Sequence, residues 1–295
     1  MDVALNTPLP NIELGCNLSV VAVTPDLVAV NKPSGIHSAP LALGEISSVL
    51  NAVIAIHHEC AQAVGRKSIE GTLLHRLDRG TSGILLFART PESYKVLRRL
   101  WEERLLTKDY LAWVEGALNF EGSLNLTLAH DPKSKKKMVA LETLGAGARR
   151  MAEKERTFLS RTEIHMVKSS ADCSLAAVRI HTGVMHQVRV SLAALGHPVM
   201  GDPVYHAAKT PFAVKKNTLA PQDLAKFAKM LGQVRQPNNI LLPEQGFFLH
   251  AWRVGLAENA LSLLKRENKL ADATLTVLSE GLELLPPVWF GTGRK

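Results

Sequence analysis

Three observations predict an α+β fold. Short β-branched or apolar runs of strand length recur along the chain, at 19–24, 27–31, 84–88, 108–116, 174–180 and 247–256. Helical patterns are fewer, and the two types are mixed irregularly. Strict alternation of strand and helix, which builds a doubly wound parallel sheet, is missing.

Taken in order, residues 1–15 are polar and proline-containing and read as a loose arm, ahead of one domain over 16–295. Ser19 to Thr24 and Leu27 to Asn31 flank a Pro25-Asp26 turn, which predicts a hairpin. Lys32-Pro33-Ser34-Gly35 then forces a turn, because proline fixes φ and glycine accepts a positive one. Ile46 to Cys60 reads as a helix. His75 to Gly83 is a polar loop, and Ile84 to Ala88 a buried strand. Thr90-Pro91-Glu92 is a helix start, with an N-cap hydroxyl, proline at N1 and an acidic first turn. Tyr94, Leu97, Trp101 and Leu105 follow on one helical face. Lys108 to Gly116 alternates as a strand.

Residues 131–168 hold ten Lys/Arg against five acids and show little periodicity. Ser174 to Ile180 reads as a strand, and His186 to Leu195 as a helix stopped by Gly196 and Pro198. Residues 206–245 read as an insertion with one amphipathic helix, Pro221 to Leu231. Phe247 to Leu256 is a late strand.

Composition narrows the class. The chain has 295 residues, of which 46% are hydrophobic and 21% charged, values that exclude a disordered or collagen-like protein. The net charge of +8 and a pI near 9.5 point toward a polyanion. Cys16, Cys60 and Cys173 form no CxxC pair, so neither a zinc ribbon nor a disulfide framework is expected. With no signal peptide and no membrane-length apolar run, the expected compartment is the cytoplasm. Phosphate-loop, GxSxG, HExxH and strand-linked GxGxxG motifs are absent from the sequence. The cluster His57-His58-Cys60 reads as surface histidines, because neighbours on a helix point about 100° apart.

Two polar clusters carry chemistry. His75-Arg76-Leu77-Asp78-Arg79-Gly80-Thr81-Ser82-Gly83 sets one carboxylate between two arginines beside a buried strand. Flanking cations favour an ionised carboxylate, which can serve as nucleophile or base. The alternative is a loop aspartate that caps the amides of Thr81 or Ser82. The second cluster, His181 to Arg189, puts His186 and Arg189 on one helix face near an N-terminus. That suits an anion, or else is a solvated helix start.

Taken together, the clusters resemble the RluA-type family of RNA pseudouridine synthases. Val30-Asn31-Lys32-Pro33-Ser34-Gly35 is similar to that family's NKPxG turn. His75 to Gly83 matches its HRLDxxTSG loop in full. Thr182 to Tyr205 resembles its TGRTHQIRVHLxxxGHPIxGDxxY block, Lys108-Asp109-Tyr110 with Val114-Glu115-Gly116 its KxYxxxVxG strand, and Leu249-His250-Ala251 its late LHA.

The resemblance implies a mixed, largely antiparallel sheet in two subdomains flanked by helices, with a central RNA-binding cleft. It implies isomerisation of a uridine in structured ribosomal or transfer RNA to pseudouridine after base flipping. No cofactor, no metal, no membrane and no obligate protein partner are implied. Asp78 would be the catalytic aspartate, Arg189 the cation that pairs with it, and Tyr110 the ring that stacks on the uracil and serves proton transfer. Arg76 would fill the gap left by the flipped base. His75, His186 and Gln187 would contact RNA, as would Lys133, Lys135, Lys136 and Lys137, unless those lysines form only a solvated loop.

Three features depart from the family pattern. Val184 and Met185 stand where the family has Arg and Thr, and Ser191 where it usually has His. The N-terminal S4 domain of many members is not expected here. Two rivals remain: an RNA-binding descendant without activity, and a glycosidic hydrolase using Asp78 with Asp202 as a second carboxylate.

Overall fold

The computed structural model describes residues 18–62, 68–205, 247–257, 260, 264 and 270–284. The expected arm at 1–15 and the insertion at 206–245 lie outside them. The chain forms two compact units, residues 1–108 with 251–285, and 109–250 with 286–295. It passes from one to the other inside two strands. The fold is α+β, a mixed and largely antiparallel sheet flanked by helices.

In the first unit, β1 (Ser19–Val23) and β2 (Leu27–Lys32) form the expected hairpin, with Val23 opposite Val28. The Thr24 hydroxyl closes the turn by accepting from the Leu27 N–H at 3.1 Å. β2 continues antiparallel onto β3 (Ser82–Ala88), and the register sets Lys32 opposite Gly83. This pairing carries the NKPSG turn to the start of the strand that follows the HRLD loop. Gly83 has φ +118, and a Cβ there would sit 2.6 Å from the Ala251 nitrogen. Only glycine fits so close a backbone approach.

α1 is shorter than the predicted helix. It spans Val49–Ile56, capped by Ser48, and a 3₁₀ turn covers His58–Ala61. α2 (Pro91–Glu102) starts as expected, with Thr90 and Ser93 in a capping box. It ends before Leu105, because Arg104 turns to φ 61. Leu105 still packs on the unit's core, where Leu27, Leu74, Ile84, Leu86, Leu97 and Leu100 meet Val254 and Leu278. Each such side chain contributes about 1.5–3 kcal/mol through burial.

The second unit is built on strands that the sequence pattern did not reveal. After β4 (Leu106–Glu115) come β5 (Gly122–Asp131), β6 (Ser134–Ala140), α3 (Ala146–Ala152) and β7 (Thr157–Ser169). β8 (Cys173–Ile180) matches the expectation. β5 pairs with β6 and β7, and β7 with β8, all antiparallel. The apparently aperiodic basic stretch is therefore mostly strand. α4 (Gln187–Ala194) packs against this sheet, and β9 (Leu249–Leu256) carries the chain back. In the first unit α5 (Asp272–Glu280) precedes β10 (Leu282–Glu283), which pairs with β9.

Candidate active site

The HRLD loop is held by the turn that precedes it in sequence by some forty residues. Lys32 is fully buried, and its ammonium donates to the carbonyls of Pro33 (2.9 Å) and Arg79 (3.1 Å). The Gly35 N–H also donates to Arg79 O at 2.8 Å. The Ser34 hydroxyl donates to Gly80 O at 2.8 Å. The Ser38 hydroxyl donates to Leu77 O at 3.0 Å and accepts from Leu77 N at 3.1 Å. Arg79 returns a bond from Nε to Gly35 O at 2.8 Å. The backbone on both sides of Asp78 is thus fixed, and the main-chain carbonyl of the half-buried Asp78 closes a turn by accepting the Thr81 N–H at 3.0 Å. Lys32 lies within the NKPSG turn, whose pattern does not announce a clamp. A lysine ending an apolar strand is the only signal of it in the sequence.

The other residues of this loop divide sharply. Arg76 points outward, and its guanidinium pairs with Glu70 at 3.2 Å. His75 does not reach the surface. It stacks on Trp101, with ring centroids 4.3 Å apart, and burial drives its pKa down to about 3, with Lys108 and Arg98 adding to the shift. Lys108 lies over the same indole at 4.4 Å, and burial lowers its pKa to about 8. A neutral imidazole and an aromatic face are what a buried cation tolerates as neighbours.

In the second unit Tyr110 is a buried residue of β4. The strand is anchored beside it by Asp109, also buried, which Arg179 of β8 grips through Nε (2.6 Å) and Nη2 (3.1 Å). Sequence reasoning missed this pair. It joins two strand positions seventy residues apart, with no local signal.

Arg189 is buried in α4, and its partner in this unit is Asp202. Nε donates to Oδ2 at 2.6 Å and Nη2 to Oδ1 at 2.9 Å. Its guanidinium lies against the rings of Phe247 (4.3 Å) and Tyr205 (5.1 Å). Asp202 also accepts the N–H groups of Val204 and Tyr205. Its carboxylate holds Arg189 and a turn, which is a structural role rather than that of a second hydrolytic carboxylate.

His186 and Gln187 serve the local structure. His186 takes φ 56 ahead of α4, and its Nδ1 lies 3.0 Å from the Tyr205 hydroxyl. Gln187 is buried. Its Oε1 accepts from the Thr182 hydroxyl (2.8 Å) and the Val184 N–H (3.2 Å), while Nε2 donates to Arg161 O and the Thr162 hydroxyl. The lysines lie on the turn before β6 and along β6 itself. Lys133, Lys135 and Lys136 are exposed, Lys137 half-buried, and Lys135 pairs with Glu155 at 2.9 Å.

Among the described residues, no group of three or more His, Cys, Asp and Glu side chains could hold a metal. His58 is exposed, and His57 lies 3.5 Å from Glu59. The buried Cys60 thiol is pushed up to about 11 by desolvation, with Glu59 adding to the shift. No helix among the described residues is long and apolar enough to cross a membrane.

Residues 26–194 match the family model for RNA pseudouridylate synthases. The chain belongs to that family. It is an RNA pseudouridine synthase, an isomerase that converts uridine to pseudouridine within RNA. It is 30% identical over 235 residues to the ribosomal large subunit pseudouridine synthase D of Zymomonas mobilis, covering 79% of this chain and 69% of that protein. The protein of the same name in Neisseria meningitidis is 31% identical, over 66% of this chain and 47% of its own length. RNA pseudouridine synthase 5 of Arabidopsis thaliana is 30% identical, over 81% and 67%. Among solved structures, Human RNA Pseudouridylate Synthase Domain Containing 1 shares the fold, at TM-score 0.51 and 21% identity, covering 85% of this chain and 82% of that one.

Proposed function

We propose that this synthase acts on a flipped uridine of large-subunit ribosomal RNA in the cytoplasm, with residues 16–295 working as one catalytic domain and Asp78 as the catalytic aspartate. The observation that carries the proposal is the clamped HRLD loop. The bonds from Lys32, Ser34, Gly35 and Ser38 fix the backbone around Asp78, as a carboxylate needs when it must meet one atom of a nucleotide. A carboxylate so held attacks the uridine or assists departure of its base.

Tyr110 stacks on the uracil and handles the proton at C5. Arg189 supplies the charge that orients the Asp78 carboxylate, and the grip of Asp202 with two aromatic rings prevents it from turning away. Arg76, exposed and paired with Glu70, fills the space of the extruded base. Lys133, Lys135, Lys136 and Lys137 meet phosphates, so binding weakens with salt. His75, His186 and Gln187 act through the local structure they hold, His75 by its stack on Trp101, His186 by its contact with the Tyr205 hydroxyl and Gln187 by its bonds to Val184 and Arg161, not by touching RNA. The names of the Zymomonas and Neisseria relatives support ribosomal over transfer RNA as the first substrate to test.

The test is incubation of the purified protein with unmodified large-subunit ribosomal RNA and, in parallel, with transfer RNA. Mass spectrometry of the digested nucleosides follows. Pseudouridine in the ribosomal arm with wild type, and none with Asp78→Asn, is expected. Conversion in the transfer RNA arm alone would reject the ribosomal assignment. Turnover by Asp78→Asn would reject the aspartate.

A further inference from the structure

We propose that the loop 39–47 is an RNA-recognition element whose Leu41, Leu43 and Ile46 pack on unstacked bases beside the target uridine and set which site is chosen. This rests on the reading of the Asp78 loop as the site that meets RNA.

Three large apolar side chains stand out within six residues, Leu41 59%, Leu43 85% and Ile46 64% exposed. A single exposed leucine is ordinary, but a cluster on one short loop marks an interaction surface. The loop is ordered from within. The Glu45 carboxylate accepts the Leu41 N–H at 2.7 Å, and the Glu45 N–H donates to Ala42 O at 3.3 Å. Gly44 completes the turn at φ +85. Those bonds to the loop's own groups hold the Glu45 carboxyl below its usual range. Little ordering entropy therefore remains to be lost on binding, which favours a preformed contact.

The base of the loop is anchored at the active site. His37 O accepts from Val49 N (3.0 Å) and Ser38 O from Leu50 N (3.1 Å), which closes the loop onto α1. The Ser38 hydroxyl bonds both backbone groups of Leu77, the residue before Asp78. In this proposal the neighbours of a nucleotide held at Asp78 lie against this loop.

The surrounding charge selects the partner. Arg76 and Arg79 are exposed, and both act on His37, whose pKa is lowered first by burial and then by Arg79. Exposed apolar side chains on a loop whose base is bonded to the arginine-flanked Asp78 turn suit a strand of phosphates with splayed bases, and aliphatic wedges pack between unstacked bases. A protein partner would bury the same leucines, but it would need an acidic group to answer the exposed Arg79.

The test replaces Leu41, Leu43 and Ile46 together with serine, and separately makes Leu43→p-benzoylphenylalanine for photocrosslinking to ribosomal RNA. The serine variant should melt within about 2 °C of wild type, since no core contact is lost. Its KM for RNA should rise about tenfold, equivalent to about 1.4 kcal/mol, with kcat within about twofold. The probe at position 43 should give an RNA adduct next to the modified uridine. An unchanged KM, or adducts to protein alone, would overturn the proposal. Wild type that makes no pseudouridine overturns the reading of the Asp78 site instead, while the crosslink reports on the loop by itself.

Discussion

The two polar blocks proposed to carry the chemistry are held in opposite ways. Around Asp78, the bonds run mainly to backbone: Lys32, Ser34, Ser38 and Gly35 all fix carbonyls or amides of residues 77–80. Around Arg189, side chains hold one another, through Asp202, Tyr205 and Gln187. The difference explains what each block tolerates. In the first, the scaffold holds the loop by its main chain. In the second, Val184 and Met185, two of the residues that depart from the family pattern, contribute little but main chain, whereas the hydroxyl of the third, the buried Ser191, lies 3.2 Å from that of Thr162. Val184 gives its N–H to Gln187, and Met185 is 37% exposed. Their replacement leaves the internal network intact.

The largest effect expected is at Asp78. Asp78→Asn should lower turnover by more than about a thousandfold with RNA affinity within a few-fold, read from single-turnover rates and filter binding. Appreciable turnover would end the contrast between a working loop and its scaffold.

Next comes Arg189→Lys. An ammonium cannot reproduce the bidentate bond to Asp202. Turnover should fall about tenfold to a hundredfold, and chemical denaturation should show a loss of about 1–3 kcal/mol. Unchanged turnover would make Arg189 purely structural.

Lys32→Met should cost about 1–3 kcal/mol, because the carbonyls of Pro33 and Arg79 lose a buried donor. Turnover should drop while KM changes less, the mark of a positioning residue.

His75→Phe keeps the stack on Trp101 but removes a titration. Between about 3 and 6.5 the unfolded chain binds a proton at residue 75 that the folded chain does not. Wild type should therefore lose stability as pH falls through that window, and the variant should lose less, in urea melts at pH 7 and 4.5. Identical pH slopes would contradict the buried neutral imidazole.

The smallest effect expected is for Val184→Arg with Met185→Thr, within about 0.5 kcal/mol in stability. A larger loss would mean that the second block is not as self-contained as its bonds indicate.

Much of the first unit was legible in the sequence because its signals are local. Pro25-Asp26 announces a hairpin, Thr90-Pro91 a helix start, and Ile84 to Ala88 a buried strand. The HRLDRGTSG loop could be recognised whole. Leu105 was misplaced for a physical reason. It serves the same core as Leu97, but Arg104 at positive φ delivers it after the helix has ended.

The second unit was less legible because its strands are stabilised across the sheet. β6 begins with three exposed residues, Ser134 to Lys136, and turns inward only at Met138 and Ala140. No period of two emerges from such a pattern. At the site, Asp109 with Arg179 and Asp202 with Arg189 are buried pairs between distant positions, which pattern alone does not join. His75 and Gln187 were expected at RNA because they sit within motifs, yet the fold turns both inward.

The central claim is that Asp78 isomerises a uridine in ribosomal RNA. Nucleotide-resolution pseudouridine mapping of total RNA tests it most directly, in cells lacking this protein and in the same cells given wild type or Asp78→Asn. The account predicts that one or a few sites in large-subunit ribosomal RNA vanish, and that wild type alone restores them. Sites unchanged by the loss, or restored equally by Asp78→Asn, would contradict it.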